Sequence, residues 1–187
     1  MQSRDLPSRR KLRSLFEFWR SRLEQGRLPR RDVFSPEEFQ PWMGNIGIVG
    51  VERDSGVERD SGVECEPLRF RLRLIGLEIV AYDGADFTGR YLDEILKPPV
   101  DKVVLRQYED CARTGRAMAF SYRTSGFRRV EAGIDKLFLP FSDGGETVSH
   151  IFVCLYASFI DPWSDERATI QDYERDGGTV AFDPSEL

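Results

Sequence analysis

Histidine and cysteine are scarce in this chain of 187 residues, and their scarcity limits the chemistry it can carry. His150 is the single histidine, and the three cysteines, Cys65, Cys111 and Cys154, lie far apart without a CxxC spacing. A zinc site needs clustered ligands, and a disulfide framework needs paired cysteines. We therefore expect no metal and no cofactor, and we expect the cysteines to be reduced thiols that act as small apolar side chains.

Long apolar runs and catalytic motifs are also missing. No run approaches the ~18 apolar residues that would suggest a membrane span, and residues 1–13 are polar and basic, unlike the apolar centre of a signal peptide. These absences predict a cytoplasmic protein without a membrane span. The sequence has no GxSxG, GxGxxG or P-loop pattern, so no catalytic residue is assigned.

Charge divides the chain into three segments, although the net charge is only −5. Residues 1–31 hold ten Lys and Arg against three Asp and Glu, residues 32–160 hold 15 against 21, and residues 161–187 hold two against eight. We interpret these segments as a basic N-terminal helix, a domain core and an acidic C-terminal tail. The basic residues predict a solvated helix face and not a nucleic-acid site, because no aromatic stacking platform accompanies them.

An apolar stripe marks the N-terminal segment as an amphipathic helix. Its members recur at i, i+3, i+4, i+7 and i+11, which places them on one helical face: Leu12, Leu15, Phe16, Trp19 and Leu23. The pattern predicts a helix from about Ser8 to Gln25, with Gly26 as its stop.

The order of the other patterns predicts an α+β fold. Ser35-Pro36-Glu37-Glu38 has the capping box and first-turn proline that begin a short helix. Strands are expected at 46–51, 70–74, 117–123, 135–141 and 149–159, and helices at 91–96 and 100–114. The last strands are apolar on both alternating sets, so their sheet needs a cover on each face. We expect the middle helices on one face and the N-terminal helix on the other.

Two segments are expected to lie outside this packed domain. Val51 to Gly62 is a perfect tandem copy of Val-Glu-Arg-Asp-Ser-Gly, and we interpret it as a loop lengthened by duplication, because long surface loops add little closure entropy. Residues 177–187 are the last part of the acidic segment, and we expect them to form a loose tail.

Five stretches of the chain have the residue types and the order of one known family. They are Leu15-Phe16-Glu17-Phe18-Trp19, Leu28-Pro29-Arg30-Arg31, Ser35-Pro36-Glu37-Glu38 through Asn45-Ile46, Phe70 to Gly76, and Asp86 to Glu94. Together they resemble a PAS domain, and more closely a proteobacterial subgroup of short single-domain PAS proteins. The resemblance implies a five-stranded antiparallel sheet with its helices between the second and third strands.

The resemblance also implies a non-catalytic sensor domain in bacterial signal transduction. Photoactive flavin-binding members carry a reactive Cys in the helical segment after the second strand, and haem-binding members a helical His. This chain has no Cys between Leu74 and Tyr108, and His150 begins a predicted strand. We therefore expect neither flavin nor haem.

Aromatic residues are expected where the strand and helix faces converge, which in a PAS domain is the ligand pocket. They are Phe70, Tyr82, Tyr108, Phe120, Tyr122, Phe138 and Phe152. The same rings are equally consistent with a filled core that holds no ligand.

Three functions remain open on this evidence. The first is a sensor that binds an unidentified small molecule or a signalling protein such as a histidine kinase. The second is a ligand-free dimerisation module, and the third is a small α+β-cone isomerase or lyase that uses one Asp with Tyr acids. A homodimer is expected through the N-terminal helix, because Phe18 and Leu28 lie off its stripe and would stay partly exposed.

Overall fold

A six-stranded antiparallel sheet forms the centre of the protein. The computed structural model describes residues 7–23, 27–53, 67–98, 101–125, 131–159 and 180–187. The strands are β1 Ile46–Arg53, β2 Leu68–Ile75, β3 Met118–Ser125, β4 Glu131–Phe141, β5 His150–Phe159 and β6 Val180–Phe182. They are ordered β2-β1-β5-β4-β3-β6 across the sheet, and every neighbouring pair is antiparallel.

Helices precede the sheet and fill the connection between its second and third strands. They are α1 Pro7–Arg20, α2 Leu77–Asp83, α3 Leu92–Ile95 and α4 Asp101–Thr114, with 3₁₀ helices at Arg31–Val33, Pro36–Asn45 and Pro184–Glu186. The α+β class, the antiparallel sheet and the helices α3 and α4 between the second and third strands are confirmed, whereas the sheet has six strands where five were expected. Within the described ranges no helix combines the length and the apolar character that crossing a membrane requires.

The strand pleat divides the apolar residues between two clusters, because successive side chains point to opposite faces. The outer cluster lies beneath α1 and includes Leu12, Leu15, Phe16, Trp19, Phe39, Trp42, Leu137, Leu139, Phe141, Phe152 and Cys154. The inner cluster lies beneath α4 and includes Val49, Phe70, Leu72, Tyr108, Cys111, Phe120, Phe138, Ile151 and Val153. Both faces of the sheet are therefore covered, as the doubly apolar strands predict.

Helix α1 provides the outer cover through its apolar stripe. Leu12 and Leu15 are fully buried, Phe16 and Trp19 nearly so, and the Trp19 indole N–H donates to the Pro140 carbonyl at 3.1 Å. The helix ends at Arg20, five residues earlier than predicted, so Leu23 packs against the outer cluster from beyond its end. The predicted stop, Gly26, lies outside the described residues.

A buried polar group ties the first turn of α1 to the sheet. Ser8 Oγ donates to Asp135 Oδ2 at 2.8 Å, and Ser121 Oγ donates to Asp135 Oδ1 at 2.6 Å. The Arg9 guanidinium lies 3.6 Å from the same carboxylate and also donates to Ser121 Oγ. The carboxylate thus joins α1 to β3 and β4 with its charge compensated.

The end of the chain is packed, so the expectation of a loose tail is wrong for residues 180–187. Strand β6 pairs with β3 through Ala119 opposite Phe182. The guanidinium of Arg9 lies 5.3 Å from the centre of the Phe182 ring, and Leu187 is fully buried in the outer cluster. Two apolar side chains near the terminus therefore hold β6 against the edge of the sheet.

Two further expectations need correction. Residues 51–53 of the tandem segment belong to β1, and Val51 is buried; the rest of the duplication lies outside the described residues. Leu74 was expected on the apolar face of β2, but a bulge after Ile48 shifts the register there, and Leu74 is exposed. Phe18 and Leu28 are partly exposed, as expected, and their buried parts pack against the outer and inner clusters of their own chain, respectively.

Candidate functional site: a cavity between the sheet and the helices

A cavity of about 190 Å³ opens between the inner face of the sheet and helices α2 to α4. Most of its wall is apolar, which is typical of small-molecule sites. The lining side chains that matter below are Ile79, Tyr82 and Asp83 from α2, Val104 and Tyr108 from α4, Tyr122 from β3, Lys136 from β4 and Val153 from β5. The sheet and the helices thus both supply polar groups to a largely apolar wall.

Lys136 contributes to the wall of this cavity, and its ammonium group is buried among the inner-face side chains. The residue is 3% exposed, and its Nζ donates to Gln107 Oε1 of α4 at 2.8 Å. The same Nζ lies 4.8 Å from the ring centre of Phe138, 5.2 Å from that of Tyr122 and 5.4 Å from that of Phe120. Such distances allow cation–π attraction from each ring.

The electrostatics around Lys136 disfavour its charge. Burial lowers the pKa of the Lys136 ammonium to about 7, because a charge loses its hydration in an apolar surrounding. Among the described residues no carboxylate lies within salt-bridge distance of Nζ. At neutral pH this lysine therefore changes protonation readily when its surroundings change.

An acid and three phenols complete the polar lining. Burial raises the pKa of Asp83 to about 6. It also raises the pKa of Tyr108 and Tyr122 well above the usual range, so both phenols stay protonated and can donate hydrogen bonds. Asp83 is positioned by the end of α2, where Gly84 adopts the left-handed conformation, with φ +77°, that stops the helix.

Six of the seven aromatic residues predicted for a pocket do converge on this side of the sheet. Phe70, Tyr108, Phe120 and Phe138 belong to the inner cluster, Tyr122 packs against it, and Tyr82, Tyr108 and Tyr122 line the cavity itself. Phe70, Phe120 and Phe138 are filled-core residues and not cavity lining. Part of the aromatic group therefore lines a cavity, and the other part fills the core.

Phe152 is the exception. It lies in the outer cluster, with its ring centre 4.3 Å from that of Phe141. The physical reason is the pleat of β5: Ile151 and Val153 face inward, so the residue between them faces α1. The alternation of the strand already separates these two sets.

Sequence reasoning missed the two charged residues of the cavity, Asp83 and Lys136. Asp83 precedes Gly84, and an Asp-Gly pair in a sequence is typical of a turn and not of a binding site. Lys136 stands in an apolar strand that was already expected to be covered on both faces. A lysine in such a strand must be buried on one face or the other. Because lysine is seldom buried, its position in this strand was the signal in the sequence that could have identified it as a site residue.

The remaining candidate groups lie elsewhere. His150 begins β5, as predicted, and its Nδ1 lies 3.0 Å from Ser149 Oγ; burial lowers its pKa. Cys111 and Cys154 are buried, and burial raises the pKa of both thiols, that of Cys154 to about 12, so neither is a ready nucleophile. No cluster of three metal-ligating side chains occurs among the described residues.

No protein-family model and no curated protein matches the sequence. Several solved structures are similar to part of this chain, each with a TM-score below 0.5. A light-oxygen-voltage domain studied with a flavin analogue is 9% identical over 73% of this chain and 88% of its own, with a TM-score of 0.47. A light-oxygen-voltage protein of Rhodobacter sphaeroides is 8% identical over 74% of each chain, with a TM-score of 0.42.

VqmA of Vibrio cholerae, described in the absence of its target DNA, is 11% identical over 67% of this chain and 52% of its own, with a TM-score of 0.44. This chain therefore spans about half of VqmA. At these identities the similarity concerns the fold alone, and the α+β assignment rests on the strand order and helix placement of this chain itself.

Proposed function

We propose that this chain is a non-catalytic sensor domain of PAS type whose inner cavity binds a small molecule. One observation carries the proposal: the cavity is walled by apolar side chains but receives polar groups from α2, α4, β3 and β4. A filled core has no need for such groups, whereas a binding site uses a few of them to orient a ligand.

The size of the cavity narrows the range of ligands. At about 190 Å³ it is smaller than the roughly 300–1,000 Å³ typical of drug-sized ligands. An apolar cavity of roughly 150 Å³ admits benzene in another protein. The proposed ligand is therefore of about one ring in size, which is consistent with the sequence-based expectation that neither flavin nor haem binds.

A pair of neighbouring substitutions on α4 tests the proposal. Val104 lines the cavity and Val103 is 52% exposed, so Val104→Phe fills the space while Val103→Phe adds the same bulk to the surface. Native mass spectrometry of gently purified protein should show a retained small molecule in the wild type and in Val103→Phe, and none in Val104→Phe. A molecule retained equally by all three would place the ligand elsewhere and contradict the proposal.

A second copy or a signalling protein such as a histidine kinase is the proposed recipient of the signal. Exposed apolar side chains favour a homodimer: Leu77 is 80% exposed, and Met43 and Leu74 are also exposed. Leu74 and Leu77 lie close to Gly76 in the sequence, and a Cβ at Gly76 would lie 2.7 Å from the Met43 carbonyl oxygen, so the three exposed residues are close in the fold. Leu77→Asp should convert a dimer to a monomer in sedimentation experiments, and a wild type that stays monomeric at high concentration would exclude this arrangement.

An isomerase or lyase is the second candidate function, because Asp83 and three tyrosines line the same cavity. A carboxyl group with a pKa of about 6 is suited to general acid–base chemistry. The two functions differ in what becomes of the retained molecule. A sensor releases it unchanged, whereas an enzyme converts it in wild-type protein and not in Asp83→Asn.

A further inference from the structure

Lys136 is the one cation that lines the inner cavity among the described residues, and its hydrogen bonding is incomplete. An ammonium group offers three N–H donors and no acceptor. Among the described residues a single acceptor, Gln107 Oε1, receives a hydrogen bond from Nζ. The other surroundings of Nζ are the faces of Phe120, Tyr122 and Phe138, which attract the charge but accept no conventional hydrogen bond.

A buried charge without a counter-ion is costly, and one added anion would remove most of the cost. Transfer of an unpaired charge from water into an apolar surrounding is unfavourable, and hydrogen-bonded pairing offsets it. Asp83 of α2 is the one acidic residue in the cavity wall among the described residues, and it makes no salt bridge with Lys136. The cavity therefore provides an ammonium group, two free donors and an apolar space beside them.

We infer that the ligand of this cavity is a small organic anion, a carboxylate of about one ring, whose carboxylate oxygens accept hydrogen bonds from Lys136 Nζ. This inference rests on the proposed function and names the chemical class of its ligand. The ring occupies the apolar part of the wall, between α2 and α4, where Ile79, Val104 and Tyr108 lie. The phenols of Tyr108 and Tyr122 are the remaining donors available to the carboxylate.

Two properties of the wall select this ligand over others. A neutral ring would fill the space but leave the Lys136 donors unpaired, and a cation could pair with Asp83 but would leave the same donors unpaired. A phosphate or sulfate could pair with Nζ but would bury no apolar area against the aliphatic side chains. A ring that carries one carboxylate satisfies both parts of the site.

Binding of such an anion draws a proton into the cavity. Burial holds the pKa of Lys136 at about 7 without a counter-ion, and a carboxylate beside Nζ raises it. Above neutral pH the complex therefore takes up part of a proton, and affinity falls as the pH rises. The other titratable groups facing the space are Asp83, Tyr82, Tyr108 and Tyr122, and the raised pKa values of Tyr108 and Tyr122 keep those two protonated throughout this range.

Benzoate and benzyl alcohol form a matched pair of probes, since they have similar size and differ in charge. Isothermal titration and thermal unfolding should show benzoate binding the wild type more tightly than benzyl alcohol. Lys136→Met should weaken benzoate roughly 10- to 100-fold, the range expected for losing a charged hydrogen bond, and leave benzyl alcohol nearly unchanged. Lys102 lies on the exposed side of α4, so Lys102→Met makes the same substitution outside the cavity and serves as the control.

A second variant keeps the inference testable should Lys136→Met fail to fold. Gln107→Glu keeps the shape of the residue 2.8 Å from Nζ and supplies a counter-ion from the protein itself. Benzoate affinity should fall while benzyl alcohol affinity is retained. Titrations of the wild type in two buffers of different ionisation enthalpy should report proton uptake with benzoate near pH 8.

The possible failures are distinguishable. If benzyl alcohol binds as well as benzoate and neither Lys136→Met nor Gln107→Glu changes benzoate binding, the cavity is a ligand site but the anion inference is overturned. If neither probe binds the wild type, both the inference and the proposed small-molecule site are overturned.

Discussion

Asp135 and Lys136 are consecutive residues of β4 that bury opposite charges on opposite faces of one sheet. Asp135 is 5% exposed and lies beneath α1, and Lys136 is 3% exposed and lies in the inner cavity. The Asp135 carboxylate receives hydrogen bonds from Ser8 and Ser121. A slip of β4 by one residue would exchange the two charges between the faces, so the pair favours a single register.

Removal of the Asp135 carboxylate should be strongly destabilising. Asp135→Ala removes the buried carboxylate that lies 3.6 Å from the Arg9 guanidinium and accepts hydrogen bonds from Ser8 and Ser121. Breaking one side of a buried ion pair costs about 3–5 kcal/mol in the free energy of unfolding. Urea denaturation should show this loss, whereas Asp143→Ala, whose side chain is 62% exposed, should change stability by less than about 0.5 kcal/mol. Equal effects of the two variants would contradict the arrangement.

The docking of α1 can be measured at Trp19. Trp19→Ala should lower the free energy of unfolding by about 3–5 kcal/mol, because the indole is buried in the outer cluster. Trp19→Phe keeps most of the ring and loses mainly the hydrogen bond to the Pro140 carbonyl. Loss of that hydrogen bond should lower the free energy of unfolding by about 0.5–1.5 kcal/mol, in addition to the cost of the changed packing, and the total should be smaller than for Trp19→Ala. If Trp19→Ala unfolds at the same denaturant concentration as the wild type, α1 does not cover the sheet.

Stability should depend on pH through Lys136. The folded-state pKa is lowered from 10.5 to about 7, so between these values the unfolded chain binds more protons than the folded one, and the contribution of this group to stability rises with pH. Lys136→Met should flatten the rise between about pH 7 and pH 10 relative to the wild type and to Lys102→Met. An unchanged pH profile would show that Lys136 is solvated.

Asp83 predicts the opposite trend at lower pH. Its folded-state pKa is raised from 3.8 to about 6, so its contribution is fully present below the unfolded value and is lost as the pH rises through the folded value. Asp83→Asn should therefore flatten a decline in stability between about pH 4 and pH 6. Thermal unfolding at intervals across that range is the measurement, and a wild-type decline that persists in Asp83→Asn must arise from other carboxyl groups.

The tandem duplication allows a deletion with a defined product. Because the two six-residue copies are identical, removing either leaves the same chain, and the three residues that complete β1 are retained. The melting temperature should change little, whereas Val51→Asp, which buries a charge in the inner cluster, should lower stability by more than about 2 kcal/mol. A large loss on deletion would show that the second copy is structural.

Periodicity predicted most of this fold, since β3, β4, β5, α1 and α4 carry long alternating or helical patterns. Strand β6 was missed because it has three residues, too few for a pattern. Helix α2 was missed because Leu77-Glu78-Ile79-Val80 has β-branched residues that suit a strand equally well.

The candidate site was predictable only in its aromatic part. The alternation of β5 was sufficient to separate Phe152 from the pocket. The properties of Asp83 and Lys136 that matter for the site, by contrast, come from their being buried. Burial depends on which segments cover the sheet, and this is settled by tertiary packing.

Two tryptophans and three tyrosines of the described residues lie on opposite faces of the sheet and can serve as optical reporters. Trp19 and Trp42 both belong to the outer cluster, while Tyr82, Tyr108 and Tyr122 line the cavity. The fluorescence of Trp19 and Trp42 therefore reports on the contact between α1 and the sheet, and the ultraviolet absorbance of the three cavity tyrosines reports on the occupied or empty cavity. If a ligand changes the tyrosine signal alone, the effect of its binding is confined to the cavity. If it also changes the indole signal, the effect of binding has passed through β4 to the helix on the other face of the sheet.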